Sequence, residues 1–394
     1  MKKRLGIFGS TGYIGEQTLS VIDKYRDIFE VEVLTGFENF EKLISQAKKF
    51  LPNVVVIGNS DYYEIVSNAL QPLDIKVYAG AEAIEQVAGM DTLDMVVMAI
   101  SGFSAFKPLK TALENKTAIA LANKECMVSA GEWIRKKALS TGTVVIPVDS
   151  EPSAIFQCLV GESTKDIDKI ILTASGGPFL RLSETQFKNI TPEMALRHPK
   201  WKMGKKISVD SASMMNKGLE AIEARWFFGL KPDQIEVLIH EEAIVHSLVQ
   251  FSDGSMKAQL SITDMRIPIQ YALGYPERLA GKTSGLDLAK IGSLNFEAPD
   301  IKKFRNLALA FEALKKGGNM PCILNAANEI AVQEFLQKNI EFIQIPLVVE
   351  NCMKTISFIS DPSLDELLEC DRKGRKKATE FIKTLIKKTH GYIN

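Results

Sequence analysis

The chain has 394 residues, 46% of them hydrophobic, which is enough for about two or three domains with substantial cores. Its 48 basic and 48 acidic residues cancel, so no overall field draws it to nucleic acid or to anionic lipid. No apolar run approaches a membrane span, and the five cysteines (126, 158, 322, 352 and 370) have neither CxxC nor Cys/His metal spacing, as expected of reduced thiols in a soluble cytoplasmic protein.

The opening MKKRLGIFGSTG has the basic start of a secretion signal, but its apolar run stops after Phe8, so no signal peptide is expected. From 1 to about 148, short Val/Ile-rich runs alternate with helical stretches: RLGIFG, FEVEVLTG, NVVVIG, IKVYAG, DMVVMAIS, KTAIALAN and TVVIPVDS. Repeated β-α of this kind predicts an α/β fold whose doubly wound parallel sheet is covered on both faces. An N-terminal Rossmann-like domain over 1–149 is therefore expected. Residues 150–285 mix helix patterns with alternating strands and predict a central α+β domain, in which FSDGSMKA marks a hairpin. Within it, the polar, Gly/Pro-punctuated stretch at about 176–205 is expected to be a flexible lid loop. A linker over 286–302 and a C-terminal helical bundle over 303–394 complete the expected organisation.

The first chemical signal is GIFGSTGYIGEQTL, where Gly9, Gly12 and Gly15 follow a strand and open a helix. Glycines there permit a tight turn and let backbone N–H groups approach a pyrophosphate at a helix N-terminus. At the end of the second strand, VLTGFENF offers no Lys or Arg for the extra phosphate of NADP, and Glu38 would repel one. Glu38 is equally well explained as an acid favoured in the first turn of the next helix. ALANKECMV places Asn123, Lys124 and Glu125 at a strand end, the edge of such a sheet where ligands sit.

PVDSEPSAIFQ places Asp149 and Glu151 two residues apart after the apolar run TVVI. Were the strand to continue through them, both carboxylates would project to one side, and a divalent cation would relieve their repulsion. On its own the pair equally suits a solvated loop. SVDSASMMNKGLEAIEA puts Asn216 and Glu220 on one face of a helix and gathers Ser211, Ser213, Asn216 and Lys217 near a helix start as donors for a phosphate. Glu220 is a candidate third carboxylate for Mg²⁺ or Mn²⁺. His198 and Trp201 fall in the lid, where a tryptophan is expected to close over a ligand. His246, within an apolar alternation, is expected to be a core histidine.

These segments, together with ASGGPF, HPKWKMGKK, VHSLVQFSDGS, DMRIPIQYALGYPER and GGNMPCILNAANE, resemble in order the 1-deoxy-D-xylulose 5-phosphate reductoisomerase family. The resemblance implies a homodimeric enzyme that rearranges a sugar phosphate and reduces the product with NADPH, NADH being possible, in non-mevalonate isoprenoid biosynthesis. It implies metal ligands at Asp149, Glu151 and Glu220, with Lys124 joining them in catalysis. It further implies substrate contacts at Lys124, Ser150, Glu151, Ser175, His198, Trp201, Ser211, Asn216, Lys217 and Glu220, and a lid that includes Met203. Cofactor contacts would fall on Thr11, Gly12, Tyr13, Ile14, Gly36, Asn123, Glu125 and Gly204. The chain departs from the family pattern at Pro152 (usually His), at HEEA over 240–243 (usually HPQS), at Tyr13 (usually Ser) and at Phe37–Glu38 (more often Lys, Arg or Asn). These departures raise a competing expectation: a divergent relative that acts on another sugar phosphate, prefers NADH, or binds nucleotide with low activity.

Overall fold

Seven strands form the first sheet of the computed structural model, which describes residues 1–198, 200–201, 204–280 and 285–391. They are β1 Lys3–Phe8, β2 Phe29–Gly36, β3 Val54–Ile57, β4 Lys76–Ala79, β5 Met95–Met98, β6 Ala118–Leu121 and β7 Val145–Pro147. Every pairing is parallel, and the order is β4-β3-β2-β1-β5-β6-β7. β3 and β5 are apolar and buried along their whole length, as a sheet covered on both faces requires. The chain runs outward from β1 to β4 and then returns to the other side of β1. The strand order therefore reverses between β1 and β5, and ligands bind at such a crevice.

The described chain forms two compact units. The first holds this sheet with its helices, up to Phe156, and also residues 264–280. That last segment was expected to belong with the central region. It joins the first unit because the helix Arg266–Gly274 packs against the helix Tyr13–Lys24, with Lys3 Nζ donating to Leu273 O at 3.0 Å and Tyr25 Oη to Ala280 O at 2.7 Å.

The second unit contains Met127–Gly131, Gln157–Thr263 and the chain from Gly285 onward. Its sheet has the order β11-β10-β8-β9, from β8 Ile167–Ala174, β9 Ile235–Ile239, β10 Val245–Phe251 and β11 Met256–Leu260. β10 and β11 form the expected hairpin, closed where Phe251 N donates to Ser255 O. Four longer helices, Arg305–Lys316, Met320–Leu336, Ile345–Thr355 and Leu364–Gly391, form the C-terminal helical region. The expected linker over 286–302 is tied to the sheet instead, since Ile239 and Glu297 make an antiparallel bridge and Phe296 stacks on His240. All five cysteines are buried free thiols. No helix among the described residues is long and apolar enough to cross a membrane.

The expected lid is not one loop. Its first half carries Phe179 and Phe187, both buried and packed edge-on against Phe342, with Phe304 and Phe335 completing the cluster. A 3-10 helix, Glu184–Asn189, and a short helix, Pro192–Ala195, order this stretch. Met203 lies outside the described residues.

Candidate active site

In the first unit the glycine turn sits at the strand-order reversal. Gly9 has φ +86°, and a Cβ there would strike the backbone of Ala99 and Ile100, which follow β5. A Cβ on Gly15 would collide with Gly9 O and Ser10. Gly12 is unstrained, and its nearest neighbour to a Cβ would be Gly9 O at 3.4 Å. Gly9 and Gly15 are therefore demanded by the turn itself. Gly12 N-caps the helix Tyr13–Lys24 with no side chain on its first-turn N–H groups. Those donors, on Tyr13 and Ile14 among others, suit an anionic ligand. Gly36 closes β2 against Thr11, whose Cγ2 a Cβ would meet at 3.1 Å. Phe37 lies over Gly58, and Asn59 Nδ2 donates to Glu38 Oε2 at 3.1 Å. The nearby Lys42 pairs with Glu16.

Asn123 spends its side chain on the backbone. Its Oδ1 accepts from Cys126 N at 2.7 Å, capping the helix Lys124–Thr141, and its Nδ2 donates to Ile100 O and Gly102 O. Both Nδ2 protons are thereby used, leaving the second lone pair of Oδ1 and the backbone for any cofactor contact. Glu125 follows in the first helical turn and is buried.

The Asp149–Glu151 pair corrects one expectation. β7 ends at Pro147, and Ser150 opens the helix Ser150–Cys158, so strand alternation does not align the two carboxylates. The turn places them instead. Asp149 O accepts from Ser153 N, its Oδ1 accepts from Ser150 N at 3.1 Å, and Ser150 Oγ donates to Glu151 Oε2 at 2.6 Å. Pro152 fits because a first-turn N–H has no acceptor within its helix. Lys124 Nζ, on a residue only 5% exposed, stands 2.5 Å from Asp149 Oδ2. The approach makes a close ion pair, and the carboxylate still has further lone pairs to offer. A largely buried carboxylate with spare lone pairs and a second carboxylate close by in the chain suits a hard cation.

In the second unit Ser175 follows β8. His198 Nδ1 accepts from Trp201 N at 2.9 Å and from Lys200 N, so its proton lies on Nε2, 3.1 Å from Ser175 Oγ. Burial pushes the His198 pKa down to about 4 and keeps the ring neutral. Gly177 N also donates to Ser175 Oγ, leaving that hydroxyl's own proton free for a ligand. Gly204, expected at the cofactor, N-caps the helix Lys205–Ala212. Ser211 lies in the last turn of this helix, four residues before the next helix begins. The next helix, Met215–Phe228, brings Asn216 and Lys217 onto Glu220, with Nδ2 2.5 Å from Oε1 and Nζ 2.5 Å from Oε2. Trp201 lies 6.2 Å from the ring of His246, which is buried and bonded to Ser261 Oγ at 2.8 Å, as a core histidine should be. The extra acids of HEEA are engaged elsewhere. Glu241 pairs with Arg181, while Glu242 accepts from Asn295 Nδ2 at 2.6 Å and lies 3.0 Å from His240 Nδ1.

Family models match along the chain: 1-deoxy-D-xylulose 5-phosphate reductoisomerase over 5–131, its C-terminal domain over 145–228, and the DXP reductoisomerase C-terminal domain over 260–377. The 1-deoxy-D-xylulose 5-phosphate reductoisomerase of Bacteroides thetaiotaomicron is 50% identical over 97% of this chain and 98% of its own. That of Acetivibrio thermocellus is 47% identical over 97% of this chain and 100% of its own. The crystal structure of a DOX-P reductoisomerase in complex with NADPH, fosmidomycin and magnesium superposes with a TM-score of 0.93 at 40% identity, covering 97% of this chain and 99% of that one. The Zymomonas mobilis enzyme in complex with NADPH gives 0.91 at 38% identity, with the same coverage. With matches in order along the chain and half its residues identical to a relative's, this chain belongs to the 1-deoxy-D-xylulose 5-phosphate reductoisomerase family.

Proposed function

We propose that the chain is a working 1-deoxy-D-xylulose 5-phosphate reductoisomerase, forming 2-C-methyl-D-erythritol 4-phosphate with NADPH and Mg²⁺ or Mn²⁺, as a cytoplasmic homodimer. The observation that carries the reading is the largely buried Asp149 carboxylate, faced by Lys124 and followed at once by the Ser150–Glu151 pair. Half-identity to a named reductoisomerase favours this over a relative with another substrate.

Asp149, Glu151 and Glu220 would hold the cation, a set of hard oxygen donors. Bound, the metal supplies Lewis acidity to a hydroxy-ketone, and NADPH supplies the hydride. The chain's own groups do the rest. Lys124 holds Asp149 in place and offsets its charge. Ser150 orients Glu151 through its hydroxyl, and Asn216 and Lys217 orient Glu220 in the same way. Ser175, with its proton free, joins Ser211, Asn216 and Lys217 as donors to the substrate phosphate. Neutral His198 aims Ser175 without adding charge. Trp201 shields the site from water. Tyr13, Ile14 and their neighbours present N–H groups to the dinucleotide pyrophosphate.

The test is turnover of 1-deoxy-D-xylulose 5-phosphate with NADPH and Mn²⁺, followed at the nicotinamide absorbance. Oxidation matched by methylerythritol phosphate is the expected result. No turnover with either NADPH or NADH refutes the reading. Sedimentation of the purified protein tests the dimer.

A further inference from the structure

Ser211, one of the proposed phosphate donors, has a neighbour whose side chain does something unusual. Asp210 is 1% exposed, yet it keeps a carboxylate within a protein interior. Two groups compensate it. Asn328 Nδ2, from the helix Met320–Leu336, donates to Oδ1 at 2.7 Å, and Lys206 Nζ, one turn before Asp210 on the helix Lys205–Ala212, lies 2.8 Å from Oδ2. Asn328 is itself completely buried. A buried polar contact of this kind tolerates little displacement, because either partner left alone is costly.

On its other side this helix end is fitted against the turn that carries Ser175. Gly177, at φ +69°, approaches so closely that a Cβ there would lie 2.7 Å from Ser211 O. The segment then folds on itself: Ser213 Oγ donates to Asp210 O, Met214 N donates to Ser211 O, and Met214 takes the left-handed conformation at φ 58°. The helix of Asn216 and Lys217 begins at the next residue. Gly177 therefore blocks movement one way, and Asn328 fixes the rotation of the helix about its axis. With that rotation set, the direction of Ser211, about 100° around the helix from Asp210, is set too.

We propose that Asn328, through Asp210, is a positioning residue for the substrate-phosphate site. The proposal rests on the reading that Ser211 contacts that phosphate. Asn328 touches neither substrate nor cofactor in this scheme. It holds the helix end at the rotation that points the Ser211 hydroxyl toward the phosphate.

Steady-state kinetics on the whole enzyme test it, with Asn328→Ala, Ser211→Ala and the double variant. Asn328→Ala should raise KM for the sugar phosphate about tenfold, since small misplacements of a binding group are expensive, while KM for NADPH and kcat stay within about twofold. In the Ser211→Ala background, adding Asn328→Ala should change KM less than about twofold, because the two act on one contact. A merely structural asparagine would lower the melting temperature and the active fraction but leave KM alone. An unchanged KM in Asn328→Ala, or a full tenfold effect repeated in the Ser211→Ala background, overturns the proposal. If Asn328→Ala fails to fold, the isosteric Asp210→Asn, which weakens the charge-assisted contact, should raise the same KM about threefold. No change there overturns it as well. Ser211→Ala with a normal KM would remove the phosphate reading itself, a failure distinct from that of Asn328 alone.

Discussion

Lys124 Nζ and Asp149 Oδ2 face each other at 2.5 Å, on residues taken from the ends of β6 and β7 and withdrawn from water. Breaking a buried pair from one side leaves a charge stranded. Lys124→Met should therefore destabilise the metal-free protein by about 3 kcal/mol. Saturating Mn²⁺ should restore much of that loss by occupying the orphaned carboxylate. Thermal melts with and without Mn²⁺ check this; an equal loss in both conditions contradicts it.

The pKa of His198 is depressed to about 4 from the ordinary 6.5 because the ring is buried. A group whose native pKa is lowered contributes stability that is whole above the unfolded value and fades as pH falls toward the native one. The wild type should thus lose stability between about pH 6.5 and 4 through this residue, and His198→Gln should remove that part of the slope. Denaturation midpoints of both proteins at pH 7, 5.5 and 4.5 measure it, and parallel slopes would refute the assignment.

Among the glycines of the turn, Gly15 and Gly12 should separate fold from cofactor. Gly15→Ala should lower the melting temperature by several degrees, because Gly9 O and Ser10 occupy the space its methyl needs. Gly12→Ala has room within the protein and should melt near the wild type while raising KM for NADPH. Equal melting temperatures for the two variants would contradict this distinction.

Glu38 is held by Asn59 just after the end of β2, where a 2′-phosphate is expected, and Lys42 pairs with Glu16. Glu38→Lys should therefore raise the ratio of kcat/KM for NADPH over NADH by about tenfold, the scale of one charge-assisted contact. An unchanged ratio would show that selection occurs at backbone groups instead.

Much of this was legible in the sequence because the first sheet is buried on both faces, so its strands are continuous apolar runs that announce themselves. The C-terminal helices and the β10–β11 hairpin were equally plain. Asp149 and Glu151 were placed on the right edge for the wrong geometric reason. Pro147 ends the strand, and Ser-Glu-Pro is a helix opening, a local signal that the apolar run before it obscured. The first half of the supposed lid resembled a mobile loop since its anchors, Phe304, Phe335 and Phe342, come from far along the chain. The same holds for residues 264–280, whose place in the first unit depends on a helix near the N-terminus. Asp210 and Asn328 left no trace in any local pattern, their pairing spanning 118 residues.

The most direct test soaks crystals of the protein in Mn²⁺ and records anomalous scattering at the manganese edge. One ion is expected, with an oxygen from each of Asp149, Glu151 and Glu220 at about 2.0–2.3 Å. A map with no ion at saturating Mn²⁺, or with an ion that no Glu220 oxygen touches, would contradict it.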